Sequence, residues 1–232
     1  MKKYLQIVTK HQWATAIALL FHTIGIVGLL FFDKSFFIAS TPLNLLLMFI
    51  LLIWTQKEKN TSFFILLFIT AVTGILVEII GVNTGWLFGN YQYGKALGIG
   101  LKGVPLMIGI NWFIIIYCCG ISTQTLLLKV IRKVNSESGE PPLFLKSLSV
   151  IIDGATLAVV FDWIMEPVAV KLGYWQWLGD GSIPLYNYFC WFIVSVILLC
   201  CFHFLKFNKE NKFAVNLLLI QAMFFLLLRT FL

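Results

Sequence analysis

The chain is predicted to be an all-α, polytopic transmembrane helical bundle, on three observations. Of its 232 residues, 60% are hydrophobic and only 12% are charged, about half the charged share of an average soluble domain. Apolar runs recur at close to the roughly 20 residues that a helix needs to cross a bilayer core of about 30 Å. The breaks between them hold most of the Lys and Arg residues.

Seven runs fit, at residues 12–32, 36–54, 61–81, 104–128, 147–166, 184–205 and 213–231, and together they form one membrane domain, 1–232. The first follows Lys2, Lys3 and Lys10, as a secretory signal would, but it is too long and lacks a convincing small-residue cleavage site, so it is read as a span. Between it and the second, "FFDKSFF" leaves room only for a tight hairpin. The third contains Glu78 among Ile, Leu and Val, in "ILVEIIGVNTGW". After the fourth, residues 129–146 are read as a cytoplasmic linker, because "NSESGEPP" has the composition of a flexible connector. The fifth run contains Asp153, Asp162 and Glu166, and the last ends beside Arg229.

With seven spans, twelve Lys and Arg residues fall on the side of the N-terminus and five on the other. That asymmetry predicts the N-terminus in the cytoplasm and the C-terminus outside. The net charge of +7 is accordingly read as topology and attraction to the lipid bilayer, with no nucleic-acid partner. Cys118, Cys119, Cys190, Cys200 and Cys201 all lie in spans without a CxxC pair and are read as small apolar residues. His11, His22 and His203 are scattered, with no HxxxH pair, so no metal site is expected. The stretch "GIGLKG", 98–103, fits GxGxxG by letter, but with no strand before it and a membrane span after it, no dinucleotide site is expected.

An internal repeat is visible across the third to sixth spans. Glu78 is followed seven residues later by Gly85, and Pro105 is followed seven later by Trp112. Glu166 and Gly173, then Pro184 and Trp191, repeat both spacings. Two copies, about 61–128 and 147–205, would then have the same topology and deliver a glutamate each to the outer face.

An ionisable residue inside a span costs a few kcal/mol, so it usually faces the bundle interior and a partner. Asp162 and Glu166 are four apart and share a helical face, whereas Asp153 lies about 180° away from Asp162. Glu78, Asp162 and Glu166 therefore form the candidate triplet. Desolvation and a neighbouring like charge both favour the neutral acid, which would make one member a Brønsted acid. The residues leave a structural reading open beside this one, in which the acids tie helices together with Arg229 as their cation.

Aromatic residues crowd the same face: Trp86, Phe88, Tyr91, Tyr93, Tyr174, Trp175 and Trp177 in the loops, with Trp112, Trp163 and Trp191 in the spans. Tyr and Trp gather at membrane interfaces because they are amphipathic. Their faces can also stabilise a cation in a pocket closed to bulk water. Asn111 and Asn187, close after the two prolines, are suited to orient water or a carboxyl group, or to bond between helices.

Taken in order, "EIIGVNTGWLFGNYQYGKALGIGLKGVPLMIGINWF", "FDWIMEPVAVKLGYWQW" and "SIPLYNYFCWF" resemble the carotenoid biosynthesis family of integral membrane hydratases, which includes CruF-type carotenoid 1,2-hydratases and the haloarchaeal bisanhydrobacterioruberin hydratase. The resemblance covers roughly residues 70–195. It implies addition of water, without a cofactor, to the terminal double bond of an acyclic carotenoid ψ-end, in a prokaryotic cytoplasmic membrane. The implied substrates are acyclic or monocyclic carotenoids (lycopene, γ-carotene or a C50 analogue), and enzymes of the same pathway are candidate partners. Glu78, Asp162 and Glu166 carry over as the acidic positions, with the aromatics between them as pocket lining. Glu78 or Glu166 is expected to give the proton, with Asp162 positioning the acid or deprotonating water. Two rivals share some of these features. A membrane lycopene cyclase begins with the same protonation, and a small proton-coupled transporter would also place acids within a repeat.

Overall fold

The computed structural model describes residues 9–134 and 143–232; the expected connector "NSESGEPP" and Lys2 and Lys3 lie outside them. The described residues form eight helices: α1 (Lys10–Phe31), α2 (Lys34–Ala39), α3 (Thr41–Thr55), α4 (Thr61–Thr84), α5 (Met107–Val134), α6 (Leu143–Lys171), α7 (Leu185–Phe204) and α8 (Lys212–Phe231). Six of these are long and apolar enough to cross a membrane. The second predicted span is the exception. It is divided into α2 and the 15-residue α3, because Pro42 lacks an N–H and its ring would strike the carbonyl four residues back if the first helix continued. Even so, α3 reaches between the two faces of the bundle. Thr41 Oγ1 lies 2.6 Å from the Tyr174 hydroxyl in the loop after α6, and Gln56, just past its other end, donates to the Asn208 carbonyl before α8 at 2.7 Å.

The core is centred on α5, where every residue from Trp112 to Ile121 is buried. A helix that is apolar all round belongs in the middle of a bundle, and Cys118 and Cys119 fill it as small uncharged side chains. On the outside, Leu20, Phe68, Ile197 and Phe204 are exposed without a polar face around them, as expected of surface that meets lipid.

The loops at one face are more ordered than a string of helices suggests. β1 (Tyr91–Tyr93) pairs antiparallel with β4 (Trp175–Trp177), and β2 (Gly100–Leu101) pairs with β3 (Val104–Pro105). The turn between β2 and β3 has positive φ at both Lys102 and Gly103, the geometry that matches the twist of a tight hairpin. The "GIGLKG" stretch is thus a hairpin at the membrane surface.

α4 and α6 both end on a left-handed glycine, Gly85 at φ 68° and Gly173 at φ 72°. In α6 the Tyr174 N–H bonds Ala169 O and the Gly173 N–H bonds Val170 O, the paired closure of a Schellman motif. Each turn sends the chain across the top of the bundle toward the other.

Candidate functional site

The β1–β4 pairing builds the roof of the site. Side chains alternate across a strand, so Tyr91, Tyr93, Trp175 and Trp177 face the bundle while Gln92 and Gln176, opposite one another, face outward and are exposed. Each strand covers the glutamate of the helix before it. Glu78 Oε2 accepts from the Tyr91 hydroxyl at 2.5 Å and the Tyr93 hydroxyl at 2.7 Å, and its Oε1 accepts from Trp112 Nε1 at 3.0 Å. Glu166 Oε1 accepts from Trp175 Nε1 at 2.7 Å and Trp177 Nε1 at 2.6 Å. Burial pushes the Tyr91 and Tyr93 phenols well above the ordinary tyrosine range, and the Glu78 charge adds to it, so both remain O–H donors.

Asp162 lies one turn below Glu166 and is fully buried. Its Oδ2 accepts from Asn187 Nδ2 at 2.9 Å, while Oδ1 has no partner among the described residues. Glu78 and Glu166 are 5% and 2% exposed. Among the described residues no Lys, Arg or His comes within ion-pair distance of any of the three.

The three carboxyls meet in one cavity of about 30 Å³, lined also by Phe88, Tyr91, Tyr93, Ile108, Asn111, Trp112, Met165, Trp175, Trp177, Asn187 and Trp191. A void needs about 10–15 Å³ to hold a water, so this one has room for one or two. Trp112 and Trp191, from α5 and α7, stack in its wall with centroids 4.0 Å apart and planes 12° from parallel.

Two residues expected in the pocket are elsewhere. Trp86 is 77% exposed, turned outward beyond the left-handed Gly85. Trp163, half exposed, sits about 100° round the helix from Asp162. The expected cation is elsewhere too: the Arg229 guanidinium lies 4.3 Å from the centre of the Trp163 ring, and Nη1 donates to the Trp163 carbonyl at 3.1 Å. That carbonyl is free because Pro167, four residues on, has no N–H to bond it. Asp153 instead accepts from the Ser149 hydroxyl.

Ile108 and Met165 line the cavity without having been expected there. The available signal was spacing, since Ile108 precedes Trp112 by four and Met165 follows Asp162 by three, the offsets of one helical face. The sequences "YQY" and "WQW" likewise encode the roof, as two aromatic–polar–aromatic alternations.

The family model for carotenoid biosynthesis proteins matches residues 37–232. The chain is also 26% identical over 134 residues to bisanhydrobacterioruberin hydratase of Haloarcula japonica, a match that takes in 55% of this chain and 40% of the relative's length. No solved structure is significantly similar to it.

Proposed function

We propose that this chain, which belongs to the carotenoid biosynthesis protein family, is a hydratase that adds water across the terminal C1–C2 double bond of an acyclic carotenoid ψ-end. The observation that carries this reading is the acidic cavity, in which three buried carboxyls, with no counter-cation among the described residues, surround space for a water under a roof of indoles and phenols. The name of the haloarchaeal relative points the same way.

Markovnikov hydration starts by protonating C2, which leaves a tertiary cation at C1. Water adds to C1 and then loses a proton, so the net change is one water gained. The hydrogen bonds support a division of these roles among the acids. An indole N–H can only donate, so Glu166 Oε1, facing two of them, is the accepting oxygen. A proton on Glu166 belongs on Oε2, which has no hydrogen bond among the described residues and is free to be given. Glu78 is the opposite case: both oxygens accept, three donors in all, which is the environment of an anion. We assign Glu166 as the proton donor and Glu78 as the fixed negative charge that stabilises the cation, together with the stacked Trp112 and Trp191 faces. Asp162, one turn from Glu166 with an unpartnered oxygen, takes the proton from the attacking water and returns it to Glu166. No cofactor enters these steps.

A cyclase would use the same first step but must keep water from the cation, and space for water beside three acids favours hydration. Expression in cells that accumulate lycopene, followed by mass analysis of the pigment, tests the reading. One or two waters gained per molecule is the expected result; a cyclised product of unchanged mass, or untouched lycopene alongside untouched γ-carotene, would refute it.

A further inference from the structure

We propose that a second cavity, bounded by α1, α2, α3 and α8, binds an isoprenoid alcohol whose hydroxyl is held by His22 and Gln221. The cavity measures about 350 Å³, an order of magnitude more than the acidic one at about 30 Å³. Its walls are largely aromatic and aliphatic, with Phe21, Leu29, Phe37, Phe224 and Phe225 among them. Walls of this kind accept any hydrocarbon chain, so the polar side chains have to decide the ligand.

Among the described residues, three of those side chains leave a hydrogen-bonding atom unpaired. Gln221 is only 6% exposed, and its side chain makes no hydrogen bond among the described residues. His22, 5% exposed, donates from Nδ1 to the Ala18 carbonyl at 2.7 Å, which in the neutral ring makes Nε2 an acceptor with nothing to accept. Asn44, on the α3 wall, has an Oδ1 without a donor. Buried polar groups are nearly always satisfied, because an amide left unpaired in apolar surroundings forfeits the hydrogen bonds it had with water. A pure hydrocarbon would satisfy none of them.

An ionic ligand is disfavoured, since no Lys, Arg, Asp or Glu lines the cavity. A ketone could accept from Gln221 but would set its lone pairs against His22 Nε2. A hydroxyl fits both, donating to Nε2 and accepting from the Gln221 amide. The isoprenoid skeleton rests on the hydratase reading, and the fold supports the link. Tyr174 lines this cavity and Trp175, the next residue, lines the acidic one. A single stretch of chain, tied down by the contact between Tyr174 and Thr41 at 2.6 Å, therefore separates the place where a tertiary alcohol would be made from a place suited to hold one.

The test uses the full chain in phosphatidylcholine nanodiscs and equilibrium binding of tritiated geranyllinalool, a tertiary isoprenoid alcohol, against the hydrocarbon of the same skeleton. The alcohol is expected to bind about tenfold more tightly, the worth of one good hydrogen-bond pair. Gln221→Leu and His22→Phe should each remove most of that preference and leave hydrocarbon binding unchanged. Leu43→Trp, at the 71% exposed mouth of the cavity, should weaken both ligands and does so without disturbing the interior, should either polar variant fold poorly. Equal affinity for alcohol and hydrocarbon, a preference that survives Gln221→Leu and His22→Phe, or displacement of both ligands by added phospholipid would overturn the proposal. Glu166→Gln separates this outcome from the hydratase reading, because it should abolish hydration and leave alcohol binding intact.

Discussion

At the scale of single residues, the distribution of donors orders the site. Glu78 accepts three hydrogen bonds over both oxygens and Glu166 accepts two on one oxygen only, so the two glutamates, alike in burial, are unlike in chemistry. Glu166→Gln removes the proposed donor and is expected to lower hydration by about 10²–10⁴-fold, the usual worth of a general acid. Glu78→Gln keeps the donor and removes only the stabilising charge, so a residual activity above that of Glu166→Gln is expected; initial rates of pigment hydration in isolated membranes rank the two, and the reverse ranking would reassign the acid. Trp177→Phe keeps the ring and deletes one of the two N–H groups on Glu166. The conjugate base then loses a charge-assisted hydrogen bond of about 1.5–3 kcal/mol, and turnover should fall by at least about tenfold while the melting temperature in detergent changes little. The three acids were legible in the sequence because a charge in an apolar run is costly and therefore rarely accidental. Their inequality was not, since it depends on which strand lies over which helix end.

At the scale of elements, β1 and β4 turn two helix ends into one roof, and the glycines that precede them make the crossing possible. Three-residue strands offer almost no period to detect in a sequence, and paired residues lie 82 apart at Tyr93↔Trp175 and 86 apart at Tyr91↔Trp177, so pairing of this kind is visible only in three dimensions. The glycines were visible, as matched offsets of seven after Glu78 and Glu166. We propose that the segments around α4–α5 and α6–α7 are copies of one unit, with the Trp112–Trp191 stack between equivalent positions. The two glycines nevertheless differ in surroundings. A Cβ at Gly173 meets nothing within 4 Å, whereas one at Gly85 would lie 2.3 Å from Asn90 Oδ1. Gly173→Ala should therefore cost only the left-handed backbone strain of about 1–2 kcal/mol, and Gly85→Ala should cost more. Unfolding monitored by tryptophan fluorescence in mild detergent measures both, and an equal loss for the two would show that the Asn90 contact yields freely.

At the scale of the whole molecule, the fold class follows from composition and run length, which is why six of the seven predicted spans coincide with long helices. The second does not because Pro42 interrupts it, a local effect that a hydropathy window averages away. The second cavity was not legible at all: His22, Asn44 and Gln221 are scattered along the chain and only the packing of α1, α3 and α8 brings them together. Orientation is the remaining property of the whole chain, and it decides where the water comes from. The face that carries β1 and β4 also carries Lys34, Lys95, Lys102, Lys171 and Arg229, whereas the opposite face carries Lys57, Lys59, Lys206, Lys209 and Lys212. Because Lys and Arg are retained in the cytoplasm during insertion, the proposed arrangement puts the roof of the acidic cavity outside. Single cysteines test this at Gln176, exposed on β4, and at Glu58, exposed between α3 and α4. In intact spheroplasts a membrane-impermeant maleimide should label Gln176→Cys, and should label Glu58→Cys only after permeabilisation. The opposite pattern would place the roof in the cytoplasm, and the water that enters the acidic cavity would then be drawn from there.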